Sequence, residues 1–264
     1  MKRILITGKN SYVGTSLENW LVKNYKIYSV HLISLRNDLW RKTDFSQYDV
    51  VIHLAAVVHM KENSEMETMY FKVNRDLAVE VANRAKIAGV KQFIFMSTMA
   101  VYGEEGKIGE EIIITRETKT NPKTFYGKSK LEAEYELQKM AYENFKVVIL
   151  RPPMIYGRNC PGNYSKLEKM ALKIPIFPFI DNKRSMLHVE KLNILIEEII
   201  KNEVGGIFLP QDDEYVTTSL LVKKIAEQNG KKIYLSHFMG CVIKIVAKRN
   251  NLFNKVFGNL VYEK

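Results

Sequence analysis

Tyr126-Gly127-Lys128-Ser129-Lys130 sets a phenol and an amine four residues apart. On a helix that spacing puts both side chains on one face. A nearby ammonium favours the phenolate, so the pair predicts a tyrosine with its pKa drawn toward neutrality, able to trade a proton with a substrate hydroxyl. Alone, the spacing is common on exposed helices. Two further segments strengthen it. Ser97-Thr98 follows the apolar run Gln92–Met96 directly, and a hydroxyl at the carboxyl end of a parallel strand lies where ligands bind in open α/β sheets. Gly8, Ser11 and Gly14 frame a turn between the apolar run Lys2–Thr7 and a helical pattern beginning at Tyr12. Gly8 permits a tight turn, Gly14 lets the helix pack closely on the sheet, and the amides at the helix start face a pyrophosphate. Ser11 stands where a dinucleotide loop ordinarily has glycine, and two glycines after a strand also make an ordinary turn.

The segment after the second apolar run bears on the nucleotide. Ser34-Leu35-Arg36-Asn37-Asp38 offers no carboxylate at the strand end unless the strand runs on to Asp38. An NAD site usually has Asp or Glu there for the ribose hydroxyls, whereas Arg pairs with a 2′-phosphate. Arg36 is therefore a candidate for a 2′-phosphate or for stacking on adenine, and equally a solvated surface arginine. On this chemistry NADP(H) is favoured over NAD.

Positioning these groups needs alternating strands and helices, and the apolar period supplies them. Strand-length runs at Lys2–Thr7, Ile27–Leu35, Asp49–Leu54, Gln92–Met96, Lys146–Leu150 and Gly206–Leu209 alternate with helical patterns at Tyr12–Lys23, Ser64–Ala88 and Thr124–Tyr142. Gly89 is the expected cap of the long helix. The pattern predicts an α/β fold: a Rossmann-type, doubly wound parallel sheet with a small C-terminal substrate-binding cap. Five of the seven prolines fall between Pro152 and Pro178, which suits pocket-shaping loops. The expected division is a dinucleotide-binding domain over 1–157, joined again by segments near 181–210, and a cap built from 158–180 and 211–264.

Composition sets the outer limits. The chain has 264 residues, 46% hydrophobic and 26% charged, ordinary globular usage that excludes disorder and fibres. Neither a secretory signal nor a spanning helix is expected, and Cys160 and Cys241 form no metal-type spacing, so the expectation is a cytoplasmic protein with two reduced thiols and no metal. The net charge is +11, and from Lys223 onward nine Lys and Arg face only Glu227 and Glu263. Such an excess favours anionic partners, although a lysine-rich genome gives the same figure. No zinc-finger or aromatic RNA-binding signature supports nucleic acid. Phe238–Phe257, apolar residues interleaved with lysines, is expected to be a cap helix facing a core, with an anionic membrane surface as the alternative.

Together these segments resemble the extended short-chain dehydrogenase/reductases, the NAD-dependent epimerase/dehydratase family, over nearly the whole chain. The loop Thr7-Gly8 to Gly14 is similar to that family's T-G-x-x-G-x-x-G. Asp44-Phe45 is similar to its adenine-contacting pair, and His53-Leu54-Ala55-Ala56 to its segment beside the cofactor. Ser97-Thr98-Met99-Ala100-Val101-Tyr102-Gly103 and Arg151-Pro152-Pro153-Met154-Ile155-Tyr156-Gly157 complete the match. The resemblance implies Thr98, Tyr126 and Lys130 as catalytic residues, with Thr98 hydrogen-bonding the reacting oxygen. It implies Gly8, Ser11, Tyr12, Gly14, Arg36, Asp44, Phe45, Leu54, Ala55, Ala56, Asn74, Ser97, Tyr126, Lys130 and Pro153 around NAD or NADP. Thr98, Asn163 and Arg184 would meet a UDP-sugar substrate, Arg184 as a fork on its diphosphate. His188 is read as a structural histidine. Met99 and Ala100 stand where sugar-nucleotide dehydratases carry acids, which argues against water elimination. The nearest subgroup in pattern is the UDP-glucose 4-epimerases and UDP-4-keto-sugar C4 reductases of surface polysaccharide synthesis. The implied reaction is 4-epimerisation of a UDP-hexose or UDP-N-acetylhexosamine through transient C4 oxidation. The alternatives are NAD(P)H-dependent reduction of a UDP-4-keto sugar, and a cofactor-binding protein without turnover. A homodimer is compatible with the resemblance, and the family's usual closing helix is missing after Tyr262.

Overall fold

The computed structural model describes residues 1–24, 26–58, 63–247 and 251–264. Its chain divides into two compact units. The first comprises Met1–Gly103, Thr120–Pro152 and Val189–Pro210, and the second Glu104–Lys119, Pro153–His188 and Gln211–Lys264.

The first unit is built on β1 (Lys2–Thr7), β2 (Tyr28–Ile33), β3 (Val50–His53), β4 (Gln92–Met96), β5 (Lys146–Leu150) and β6 (Gly206–Phe208). They form one six-stranded sheet in the order β6-β5-β4-β3-β1-β2, parallel throughout. Strands buried on both faces read as continuous apolar runs, which is why the pattern along β1, β3, β4 and β5 shows no alternation. The helices are α1 (Tyr12–Leu21), α2 (Ser64–Phe71), α3 (Leu77–Ile87), α4 (Phe125–Met140) and α5 (Val189–Asn202). Phe93, Phe95, Val81, Ala85, Leu137 and Phe145 belong to its main core. Strand order reverses between β1 and β3, and in doubly wound sheets ligands bind outside the carboxyl ends of the strands at such a reversal.

The single long helix expected over Ser64–Ala88 differs in its middle. A π-turn over Lys72–Asp76 separates α2 from α3, and Asn74 lies buried within it. One wider turn of this kind is often found at a functional site. Gly89, at φ +80°, ends the helix as expected.

The second unit contains short parallel pairs and its own core. Met154–Tyr156 pairs with Met186–His188, and Ile176–Pro178 with Tyr234–Ser236. Phe177, Ile180, Val222, Ile225 and Phe257 are buried together there. The proline-rich stretch is thus more ordered than the loops expected of it: Pro161 precedes the helix Asn163–Lys173, and Pro175 and Pro178 bound a strand. Proline is tolerated at such ends because no ladder or helix hydrogen bond is lost there. The segment Phe238–Phe257 forms two helices, His237–Val246 and Asn251–Phe257, with 248–250 outside the described residues. Phe257 is in the core, and Phe253 and Val256 pack against it. Phe238, Val242, Ile245 and Val246 are exposed, so the expected core-facing role holds for the second helix and fails for most of the first. No helix among the described residues is long and apolar enough to cross a membrane.

Candidate active site

The turn after β1 is as tight as its glycine predicts. Gly8 has φ +91°, and a Cβ there would lie 3.1 Å from the backbone nitrogen of Ala55 and the carbonyl carbon of Leu54. The end of β3 therefore closes against the turn, and Leu54 also flanks Gly14. Ser11 replaces glycine without strain because its φ of −75° and ψ of 151° suit any L residue. Its Oγ caps α1, accepting from the Gly14 amide at 3.1 Å, while Asn10 takes the left-handed conformation at φ +70°. A cradle that a Cβ would fill, opening onto the first turn of α1 at the strand reversal, fits a dinucleotide's pyrophosphate. Gly8, Ser11, Tyr12, Gly14, Leu54 and Ala55 are the residues that would hold it, with Ala56 next in the chain.

The adenosine side is less furnished. Strand β2 stops at Ile33, and Asp38 instead opens a 3-10 turn where it pairs with Arg41. No carboxylate closes the strand, and Arg36 is exposed. Asp44 caps the next 3-10 turn, accepting from the Ser46 amide at 3.0 Å, from Ser46 Oγ at 2.7 Å and from Gln47 at 3.2 Å. These bonds, led by the Ser46 hydroxyl, hold its carboxyl below the usual range. Phe45 is buried against Trp40, so of this pair only Asp44 is open to a ligand.

Thr98, Tyr126 and Lys130 come together over the end of β4. Thr98 caps a 3-10 turn, Met99–Tyr102, through the Ala100 amide, and Thr124 caps α4 through the Gly127 amide. Gly127 decides how closely these turns approach: a Cβ there would lie 2.8 Å from the Ala100 carbonyl oxygen. Its absence lets the Tyr126 hydroxyl and Thr98 share a hydrogen bond. Lys130 is buried, donates to the Met96 carbonyl at 2.8 Å and sits 4.5 Å above the Phe95 ring. Asn74 ties the group to the sheet. Its amide bridges both backbone groups of Val57 and donates to Ser129 Oγ at 3.2 Å, and Ser129 in turn donates to the Tyr126 carbonyl.

Burial governs the electrostatics. It pushes the Tyr126 phenol up to about 12, against the Thr98 hydrogen bond that lowers it. It pulls Lys130 down to about 7, opposed by the charge of Glu134. The tyrosine drawn toward neutrality, expected from the spacing, is not what this arrangement produces: desolvation outweighs a lysine whose ammonium is held by the Met96 carbonyl. His53, buried between Phe93 and Phe95, is pulled down to about 3 by burial and is neutral.

A buried cluster behind the site escaped the motif reading. Arg151 donates through Nε and Nη2 to Glu134 and through Nη1 to Tyr102, and Ser97 Oγ donates to the same carboxylate. Ser97, expected at the cofactor, turns its hydroxyl into this cluster. Its signal in the sequence was Glu134 one helical turn after Lys130, together with the arginine closing β5. Three expected residues belong to the second unit. Pro153 opens its second segment, Asn163 is in the first turn of a helix entered through Gly162 at φ +82°, and Arg184 is half-buried with Nη1 donating to the carbonyls of Lys255 and Gly258. His188 stacks edge-on against Tyr156, and its amide donates to Asp212.

The model of the NAD dependent epimerase/dehydratase family matches residues 4–192, through every element that builds this turn and triad. The chain belongs to that family. It is accordingly an enzyme dependent on a nicotinamide dinucleotide. It is 32% identical over 248 residues to a UDP-glucose 4-epimerase of Vibrio cholerae, covering 85% of this chain and 75% of the relative. It is 25% identical to the N-acetyl-alpha-D-glucosaminyl-diphospho-ditrans,octacis-undecaprenol 4-epimerase of Escherichia coli O157:H7, covering 89% of this chain and 74% of that one. In fold it matches the UDP-glucuronic acid 4-epimerase of Bacillus cereus, solved with NAD, at a TM-score of 0.73 and 22% identity over 89% of this chain and 85% of the other.

Proposed function

We propose that this family member is a nucleotide-sugar 4-epimerase acting on a UDP-hexose or UDP-N-acetylhexosamine. The observation that carries the reading is the grouping of Thr98, Tyr126 and Lys130 over the end of β4, with Met99 and Ala100 in the intervening turn. That set moves a proton at a hydroxyl and lacks the acid and base for eliminating water. The 4-epimerases among its relatives support the same chemistry.

A bound nicotinamide supplies reversible hydride acceptance at C4. Tyr126 takes the proton of the C4 hydroxyl as the carbonyl forms and returns it as the carbonyl is reduced. Thr98 hydrogen-bonds the same oxygen and fixes its distance from the phenol. Lys130, one turn along α4 from Tyr126, would hold the ribose of the bound nicotinamide nucleotide. Asn74, through Ser129, fixes the first turn of α4 so that the phenol does not drift. In this reading the first unit binds the dinucleotide and carries the groups that act at C4.

One observation favours a second reading. With no carboxylate closing β2 and Arg36 exposed beyond it, the nucleotide site suits a 2′-phosphate, and hence one-way reduction of a 4-keto sugar by NADPH. Mass spectrometry of nucleotide extracted from the purified protein separates the two, combined with an assay of UDP-glucose and UDP-galactose and their N-acetyl counterparts. Retained NAD with interconversion supports the epimerase. An empty site preferring NADPH, without interconversion, supports the reductase, and binding without turnover on any nucleotide sugar would leave only a cofactor-binding protein.

A further inference from the structure

The helix His237–Val246 in the second unit rests on its neighbours through a glycine. Gly240 is its one buried residue, and a Cβ there would lie 2.0 Å from the carbonyl oxygen of Phe179. At ~100° per residue, Phe238, Val242 and Ile245 fall on the side opposite Gly240, flanked by Met239 and Val246. All five are exposed, Phe238 at 78% and Ile245 at 71%. Two further exposed apolar side chains stand in the strand pair that leads into the helix. Tyr234, 70% exposed, begins the strand before the helix, and its strand partner Ile176 is 48% exposed. Scattered apolar side chains are normal on a surface, but five gathered on one side of a single helix mark an interaction site.

Charge identifies the partner. No aspartate or glutamate occurs between Glu227 and Glu263, whereas Lys231, Lys232, Lys244, Lys248, Arg249 and Lys255 do. Of these, Lys231 and Lys232 precede Tyr234 and are exposed, and Lys244 is exposed on the helix about 40° around from Gly240. Lys255 lies 3.6 Å from Glu105 and has its charge paired there. Exposed aromatic and branched aliphatic side chains on a segment whose charged residues are all cations match a lipid surface of negative charge. A second copy of this chain would bring the same cations against these.

We propose that this face, centred on Phe238 and Ile245, docks the protein on an anionic membrane surface, lying in the headgroup region without crossing it.

The test is co-sedimentation of the intact protein with phosphatidylcholine vesicles, with and without phosphatidylglycerol, at low and high salt. The wild type is expected to partition roughly tenfold more to the anionic vesicles, and to be released by salt. Phe238→Glu with Ile245→Glu is expected to abolish partitioning while leaving the melting temperature unchanged, because both side chains are solvated in the free protein. If that variant unfolds, Lys231→Gln with Lys232→Gln provides the same reading by weakening partitioning to anionic vesicles alone. No partitioning of the wild type, equal partitioning to neutral vesicles, or partitioning indifferent to the folded variants would overturn the assignment. So would a dimer in solution that the Phe238 and Ile245 changes split, with no vesicle binding. None of these measurements depends on the substrate or on turnover.

Discussion

Glu134 and Arg151 form a buried, two-pronged ion pair, with Nη2 2.5 Å from Oε2 and Nε 3.1 Å from both carboxylate oxygens. Glu134 lies on α4 with Lys130, one turn further along, and Arg151 closes β5, so the pair ties the helix that carries the active-site amine to the sheet. Arg151→Leu leaves a buried carboxylate uncompensated and is expected to cost about 3–5 kcal/mol of stability. Adding Glu134→Leu is expected to recover part of that loss. Chemical denaturation of the two single variants and the double variant measures this, and equal losses in the single and double variants would contradict it.

Tyr126→Phe removes one hydroxyl and no packing. Turnover is expected to fall by about 10²–10⁴-fold, the usual range for a lost general acid–base. Dinucleotide binding, followed by titration calorimetry, should barely change. Persistent turnover would move proton transfer to another residue.

Gly127→Ala places a methyl group 2.8 Å from the Ala100 carbonyl oxygen, and backbone must move to admit it. The displacement separates Tyr126 from Thr98, and a shift approaching 1 Å is expected to lower kcat about 10²-fold. Steady-state kinetics beside a dinucleotide titration distinguishes this from a binding defect, since Gly127 is remote from the Gly8 turn in the chain.

Lys130 gives the cofactor-free protein a pH dependence of known sign. Its folded pKa, about 7, lies below its ordinary value of 10.5, so between these values the unfolded chain binds more protons than the folded one. Stability contributed by this group therefore rises with pH across that window and is lowest where the amine is charged in both states. Lys130→Met removes the slope. Subtracting the melting profile of the variant from that of the wild type, from neutral to alkaline pH, isolates the effect, and a flat or falling difference would contradict it.

Asn74→Ala strips both partners from the Val57 backbone groups and the link to Ser129. Unsatisfied buried groups cost about 1–3 kcal/mol each, so a clear fall in melting temperature is expected together with a fall in kcat. Unchanged stability would show that water replaces the side chain.

Much of this was legible in the residues themselves. The continuous apolar runs of β1, β3, β4 and β5 announced a sheet covered on both faces, because a two-sided burial leaves no room for alternation. Gly8, the Thr98 segment and the Tyr126–Lys130 spacing were readable because local backbone geometry and helical period are properties of short stretches. Those stretches do not determine what packs behind them. The ion pair of Glu134 with Arg151, the π-turn that sinks Asn74 and the role of Gly127 all depend on contacts between residues distant in the chain. Protonation was decided in the same way: the spacing of Tyr126 and Lys130 predicts a lowered phenol pKa, and burial of the phenol, reinforced by Tyr70, reverses it. Likewise, the interleaved lysines and apolar residues of Phe238–Phe257 fixed an amphipathic character. Only the close seat of Gly240 on Phe179 determined that Phe238 and Ile245 face outward, because a helix turns toward the neighbour its smallest residue can approach.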